Sequence, residues 1–165
     1  NDKTIYYGAN KVYISSNGGE TWVRASHDLT YPKQKDKKSR SITRIAESPL
    51  KAGVLYAATE KGAVWVSRNA GIKWFEISSG IPIKKIVGLY PSNHETSRVY
   101  LVAKGMDDDD QNAYVFVSEN YGSKWKNITT NLPTIPVNCI TEDPEFEVFW
   151  RESIAAAMSV ETETT

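Results

Sequence analysis

Short apolar runs with period-2 alternation pattern this chain, and Gly, Pro, Asn and Ser separate them. One stretch reads SITRIAES (41–48), VLYAAT (54–59), AVWVSR (63–68) and KWFEIS (73–78). The next reads KIVGLYPS (85–92), RVYLVAK (98–104), AYVFVSE (113–119) and KWKNIT (124–129). Val, Ile, Tyr, Phe and Trp dominate these runs, and successive side chains on a strand face opposite ways, so each run predicts a strand. Groups of four strands, each group about fifty residues long, predict an all-β fold of four-stranded antiparallel β-propeller blades.

A second pattern falls between the third and fourth run of each unit. SSNGGETW (15–22), SRNAGIKW (67–74) and SENYGSKW (118–125) share Ser first, Asn third, Gly fifth and Trp eighth. The chain must reverse here. Gly19, Gly71 and Gly122 can take positive φ without steric cost, and Asn17, Asn69 and Asn120 can bond backbone amides further along, closing an Asx-type turn. Trp22, Trp74 and Trp125 then open the fourth strand and offer a large apolar face to the neighbouring unit. Together with Ser15, Ser67 and Ser118, these residues are expected to serve the turn and its anchor and to touch no ligand.

The three segments resemble the Asp-box, or BNR, repeat of sialidase propellers, oligoxyloglucan-type glycosidases and sortilin-type receptors, whose pattern is S-x-D-x-G-x-[ST]-W. The chain departs from that pattern in carrying Asn for Asp in all three copies, and Lys73 and Lys124 where Thr21 keeps the hydroxyl. With the intervening strands, the resemblance covers roughly residues 4 to 145. It implies that the motif hairpins lie at the blade periphery, away from a ligand face, and it favours a secreted or cell-envelope protein.

The expected organisation is propeller blades over residues 1–150: a partial blade at about 1–30, blades at 41–79 and 84–130, and the opening of a further blade at 137–150. A helical or disordered tail follows at 151–165, where Gly, Pro and aromatic residues vanish. The first unit offers three runs (4–9, 11–15 and 22–25) and lacks an opening strand, whereas VNCITED (137–143) reads as an opening strand and EVFW (147–150) as a second. Three blades and a remainder do not close a propeller, which needs four or more. The chain is therefore expected to be completed by self-association, two copies forming a six-bladed homodimer, or by the remainder of a longer propeller.

Charge and cysteine content narrow the partners. Twenty basic and twenty acidic side chains give a formal net charge of zero, so no bulk field favours nucleic acid. No apolar run has the length of a membrane span, so no membrane partner is expected. The single cysteine, Cys139, makes no internal disulfide, and no Cys/His cluster is available for zinc.

Candidate ligand-binding residues lie on loops opposite the motif hairpins: His27, Asp28, Tyr31 and Arg40 on the connection between the first two units, and Glu60 and Lys61 on the turn after the second strand. That connection also carries Lys33, Lys35, Lys37 and Lys38, and reads as a solvated loop. Four carboxylates in succession, Asp107, Asp108, Asp109 and Asp110, are a candidate calcium site, although they lack the alternating ligand spacing of a dedicated calcium loop. No cofactor is otherwise expected. An inverting glycosidase needs two carboxylates about 6.5–9.5 Å apart across a cleft, and outside the acidic run only Asp28 and Glu60 sit on suitable loops. A sialidase-like site needs an arginine cluster, and Arg68 lies within a motif. No catalytic residue is assigned. The expected function is a non-catalytic propeller module that binds a glycan or a protein segment, with a glycoside hydrolase, or part of one, as the alternative.

Overall fold

The structure is a computed structural model that describes residues 3–30, 41–82, 85–105, 109–110, 112–130 and 132–145. The expectations for Tyr31, Arg40, Asp107, Asp108, the basic loop 31–40, the run 147–150 and the tail 151–165 lie outside the described residues. Within them the chain forms three antiparallel sheets. The first holds β1 (Ile5–Gly8), β2 (Val12–Ser15) and β3 (Val23–Arg24). The second holds β4 (Ile42–Glu47), β5 (Leu55–Thr59), β6 (Val64–Ser67) and β7 (Phe75–Glu76). The third holds β8 (Lys85–Pro91), β9 (Val99–Lys104), β10 (Tyr114–Ser118) and β11 (Lys126–Asn127). Each sheet is a meander in chain order, and the opening strands β4 and β8 lie side by side. This is the all-β blade architecture expected from the runs.

The first sheet has three strands. β1 occupies the place of β5 and β9, as shown by its hairpin with the strand that leads into the motif, so among the described residues it is the opening, or inner, strand that this sheet does not contain. Residues 137–143, expected to be an opening strand, make no strand ladder, because no further strand adjoins them among the described residues. Glu142 and Asp143 lie instead against the third blade, bonded to Ser92, Asn93, His94 and Tyr100.

Period-2 alternation decides which way each blade faces. Leu55, Ala57 and Trp65 turn toward the first sheet and join Val12, Leu29, Ile42 and Trp74 in one buried cluster. Tyr56, Ala58, Val64 and Val66 turn the other way and join Ile77, Ile86, Leu89, Val99, Leu101 and Phe116 in a second. The middle sheet is covered on both faces, so β5 and β6 are buried at every residue, whereas β1 alternates between exposed and half-buried. Burial of a large apolar side chain is worth about 1.5–3 kcal/mol, so these two seams dominate the stability of the stack.

The inner strands carry a further lock. β4 and β8 bulge at equivalent residues, Thr43 and Val87. A bulge frees a carbonyl from the ladder, and Arg44 bonds both, Nε to Val87 O at 2.6 Å and Nη1 to Thr43 O at 2.7 Å. One guanidinium thus ties the inner edges of two blades.

The motif hairpins share one hydrogen-bond scheme. Ser67 Oγ donates to Asn69 Oδ1 at 3.0 Å and accepts from the Gly71 amide at 2.9 Å, while Asn69 Oδ1 accepts from the Lys73 amide at 2.9 Å. The first and third copies repeat it around Ser15–Asn17 and Ser118–Asn120. The Asn side chain uses its carbonyl oxygen here, which is why it can stand where the resembled family has Asp. Ala70 and Tyr121 take left-handed φ (56° and 57°), which aims their amides at Gly53 O and Ser97 O, at 2.9 and 2.8 Å. The following Gly71 and Gly122 also have positive φ and lie so close to the preceding blade that a Cβ would collide with Ala25 and with Ile77. Trp74 Nε1 donates to Ala25 O (2.8 Å), and Trp125 Nε1 to Ile77 O (2.7 Å). Trp74 is 6% exposed, but Trp22 is 43% exposed, against the expectation that every motif Trp is covered by a neighbour. Among the described residues no blade precedes the first.

Candidate functional site

The structure separates the predicted loop residues by role. Asp28 is clasped inside its own connection: Asn10 Nδ2 donates to it at 2.7 Å, and the Thr30 amide and hydroxyl donate at 2.9 and 2.7 Å. Burial pushes its carboxyl up, but the Thr30 and Asn10 bonds, with the charge of Lys11, together hold it below its ordinary value. The clasp sets up Leu29, fully buried, whose carbonyl accepts the Trp65 indole N–H at 3.0 Å. His27 is exposed and stands edge-on to the Trp65 ring at 5.5 Å. Glu60 and Lys61 are exposed at the β5–β6 turn, with the Glu60 amide bonded to Ser41 O at 2.9 Å. His27 and Asp28 line a shallow pocket with Lys11, Arg24 and Ile72, which Glu60 and Lys61 do not join. On the acidic loop, Asp110 accepts from the Tyr114 hydroxyl and from Asn112. No group of three potential metal ligands occurs among the described residues.

A better-formed site, missed from sequence, lies on the third blade. Its face away from the middle sheet carries a cleft of about 360 Å³ lined by Leu89, Tyr100, Val115, Ile128, Leu132 and Ile140. At its end sits Glu142, its side chain only 8% exposed. The carboxylate accepts from Ser92 Oγ (2.8 and 2.9 Å), the Asn93 amide (2.6 Å) and the Tyr100 hydroxyl (3.0 Å), with Arg98 Nη1 at 3.7 Å. Burial, then the charge and hydrogen bond of Glu142, push the Tyr100 hydroxyl up to about 12, with Arg98 opposing. A buried carboxylate is tolerable only when its lone pairs are filled and a cation lies near, and both conditions hold.

This arrangement is a repeat feature. Tyr6, Tyr56 and Tyr100 take the same position on β1, β5 and β9, each facing the following unit. Tyr6 bonds Glu47, at the end of β4, as Tyr100 bonds Glu142. The segment AESP (46–49) aligns with TEDP (141–144), so the register of Glu47 points to Glu142. In the unit between, Pro91 stands at that register. The Tyr56 hydroxyl is accordingly buried with no hydrogen-bond partner among the described residues.

Four-stranded meanders stacked face to face, with their inner strands side by side, define part of a β-propeller. Sequence and structure comparison place it further. The chain belongs to the Sortilin-Vps10 family: the family profile described as "Sortilin, neurotensin receptor 3" matches residues 10–152. No curated protein matches the chain in a sequence search. Among solved structures, the GH74 enzyme of Niastella koreensis superimposes with TM-score 0.55 at 19% identity, over 78% of this chain and 20% of that one. The GH74 xyloglucanase of Xanthomonas campestris gives TM-score 0.54 at 13% identity, over 76% and 20%. At these identities the likeness is one of fold. The chain spans about a fifth of the length of both enzymes.

Proposed function

We propose that this chain is a segment of a larger propeller that binds a protein segment and does not itself hydrolyse a glycoside. The observation that carries the reading is the state of Asp28. A general acid needs a proton to give and a general base needs a lone pair free for water, whereas the Asp28 carboxylate is held low and taken up by three donated hydrogen bonds within its own connection. Its carboxylate is a loop brace. Membership of a family described by a neurotensin receptor supports a peptide as the ligand class, with a glycan as the next choice. The same membership supports a secreted or envelope setting. The ligand surface in this reading is the loop face carrying His27, Glu60 and Lys61. Propeller loops are grouped at one end by the fold and are free to vary without disturbing the blades.

The test is a peptide array and a glycan array probed with the chain, run beside a screen of chromogenic glycosides that includes xyloglucan oligosaccharides. Peptide binding weakened by Glu60→Ala or Lys61→Ala, with no turnover, supports the proposal. Turnover abolished by Asp28→Asn overturns it in favour of the hydrolase reading.

A further inference from the structure

Each seam between adjoining sheets carries a groove where the fourth strand of one blade meets the motif hairpin of the next, and the two grooves share one backbone plan. Arg24, Ala25, His27, Gly71 and Ile72 line the first; Glu76, Ile77, Ser79, Gly122 and Ser123 line the second. Hydrogen bonds fix the correspondence. The amides of Ala25 and Ile77 bond Val12 O and Val64 O at 2.8 Å, and Trp74 and Trp125 donate to the carbonyls of the same two residues. Arg24 therefore stands where the second groove has Glu76, His27 where it has Ser79, and Ile72 where it has Ser123. Lys11, just before Val12, also lines the first groove and stands where Ala63 precedes Val64.

Equivalent positions in a repeat meet the same demands of the fold, so a side chain found in one copy alone is not required by it. The second groove is built with Ala63, Glu76, Ser79 and Ser123. The first instead holds two permanent cations, a histidine and an isoleucine that is 86% exposed. The Arg24 side chain makes no hydrogen bond or ion pair among the described residues. Asp28, the anion of this groove, has its oxygens taken up by Asn10 and Thr30. Lys11 and Arg24 against Asp28 leave the first groove net positive before any charge on His27. In the second groove Arg68 and Glu76 cancel, and the Arg68 guanidinium is already stacked on the Tyr121 ring at 5.2 Å.

We propose that the first groove takes an acidic segment of a partner protein, one carboxylate meeting Arg24 and Lys11 while a neighbouring apolar side chain rests on Ile72. A guanidinium presents a planar fork that matches a carboxylate and is less strongly hydrated than an ammonium, so Arg24 is the stronger anchor. The groove, about 530 Å³, has the size of a ligand pocket. A nucleic acid fits it less well. Such a polyanion needs a basic track along its length, and the equivalent place in the next groove holds Glu76. The proposal rests on the reading that the chain binds a protein segment, and it names the chemistry of that segment; His27 is common to this groove and to the loop face of that reading.

Fluorescence anisotropy on the full chain tests it, with a short labelled peptide of Glu-Leu pairs as the probe and its Lys-for-Glu counterpart as the control. The parent chain should bind the Glu peptide, more weakly as salt rises, and should not bind the Lys peptide. Arg24→Glu and Ile72→Ser each install the residue of the second groove, and each should weaken the Glu peptide at least about tenfold. Their melts should match the parent, because both side chains are exposed. Arg24→Glu should in turn gain affinity for the Lys peptide, a reversal that a misfolded variant would not give. Failure of the parent to bind the Glu peptide, undiminished binding by Arg24→Glu, or equal binding of the two peptides by the parent overturns the proposal. Inorganic phosphate that displaces the peptide at matched concentration would reduce the groove to an ion site and overturn it too. Array peptides that bind through Glu60 or Lys61 and ignore Arg24→Glu would remove this proposal alone, whereas glycoside turnover would remove the functional reading, so the two failures are distinguishable.

Discussion

The same conservative substitution, Tyr→Phe, should have opposite effects at two equivalent positions. At Tyr100 the hydroxyl donates to a buried carboxylate at 3.0 Å. Removing it forfeits a hydrogen bond to a charged group and leaves Glu142 to Ser92, Asn93 and Arg98, a loss of about 1–3 kcal/mol. At Tyr56 the hydroxyl is buried with no hydrogen-bond partner among the described residues, although Tyr121 and Arg68 are near enough to act on it electrostatically. Tyr56→Phe removes only a desolvated, unpaired dipole and should stabilise by about 1–3 kcal/mol, the penalty for leaving such a group unsatisfied. Urea titration followed by tryptophan fluorescence reads both. The midpoints should move in opposite directions at unchanged m, which marks a change in stability and not in the surface exposed on unfolding. A third variant closes the argument. Pro91→Glu restores the carboxylate that Glu47 and Glu142 supply elsewhere, and in that background Tyr56→Phe should lose its stabilising effect. Such non-additivity is the sign that the two side chains touch. If Tyr56→Phe and Tyr100→Phe both destabilise alike, the hydroxyl of Tyr56 has a partner and the repeat comparison is wrong.

Other expectations follow from the same geometry. Trp74→Ala should cost about 3–5 kcal/mol through lost burial and a residual cavity, while Trp22→Ala should cost less, because Trp22 is 43% exposed and meets Tyr7 edge-on, and differential scanning calorimetry ranks them. Asn69→Ala removes an acceptor used by Ser67 and by the Lys73 amide, and should cost about 0.5–2 kcal/mol in the same measurement, with ligand binding unchanged. At the alkaline end, Tyr100 stays protonated in the folded chain up to about pH 12 but ionises near 10 when unfolded, so stability should fall as pH rises from about 10. Tyr100→Phe should flatten that fall. At the acid end, Asp28 is held below 3.8, so its contribution is present above that pH and is lost as pH drops through the folded value; Asp28→Asn should shrink the acid loss in a pH series of melts.

Most of the strand plan was legible in the sequence because blades packed on both faces keep Val, Ile, Leu and Tyr in nearly unbroken runs. The fourth strands were not legible in their true length. They are two residues long because a side-chain hydroxyl takes over the next rung: Ser26, Ser78 and Thr129 accept the amides of Val12, Val64 and Val115 at 2.7, 2.8 and 3.0 Å. His27 and Asp28, both offered as ligand residues, take different places in their loop, Asp28 clasped by Asn10 and Thr30 and His27 beside the Trp65 ring, because adjacency in a loop says nothing about side-chain direction. Glu142 escaped notice for the converse reason. Its meaning lies in register with Glu47 nearly a hundred residues earlier, and a lone Glu in a polar segment carries no local mark. Trp22 looked like its two counterparts because a motif records the hairpin and not what stands behind it.

The two apolar clusters share no residue, and each belongs to one pair of adjoining sheets. Damage to one seam therefore need not reach the other, and the chain should come apart by steps in the manner of a short array with nearest-neighbour coupling. Amide exchange would follow that order. The outer hairpin β1–β2, with a single covered face, should open and relabel first. The amides of β5 and β6, sandwiched on both sides, should exchange last, at a rate set by the loss of both seams together. A pair of seams with independent lifetimes makes the central blade a clamp whose two jaws can release separately.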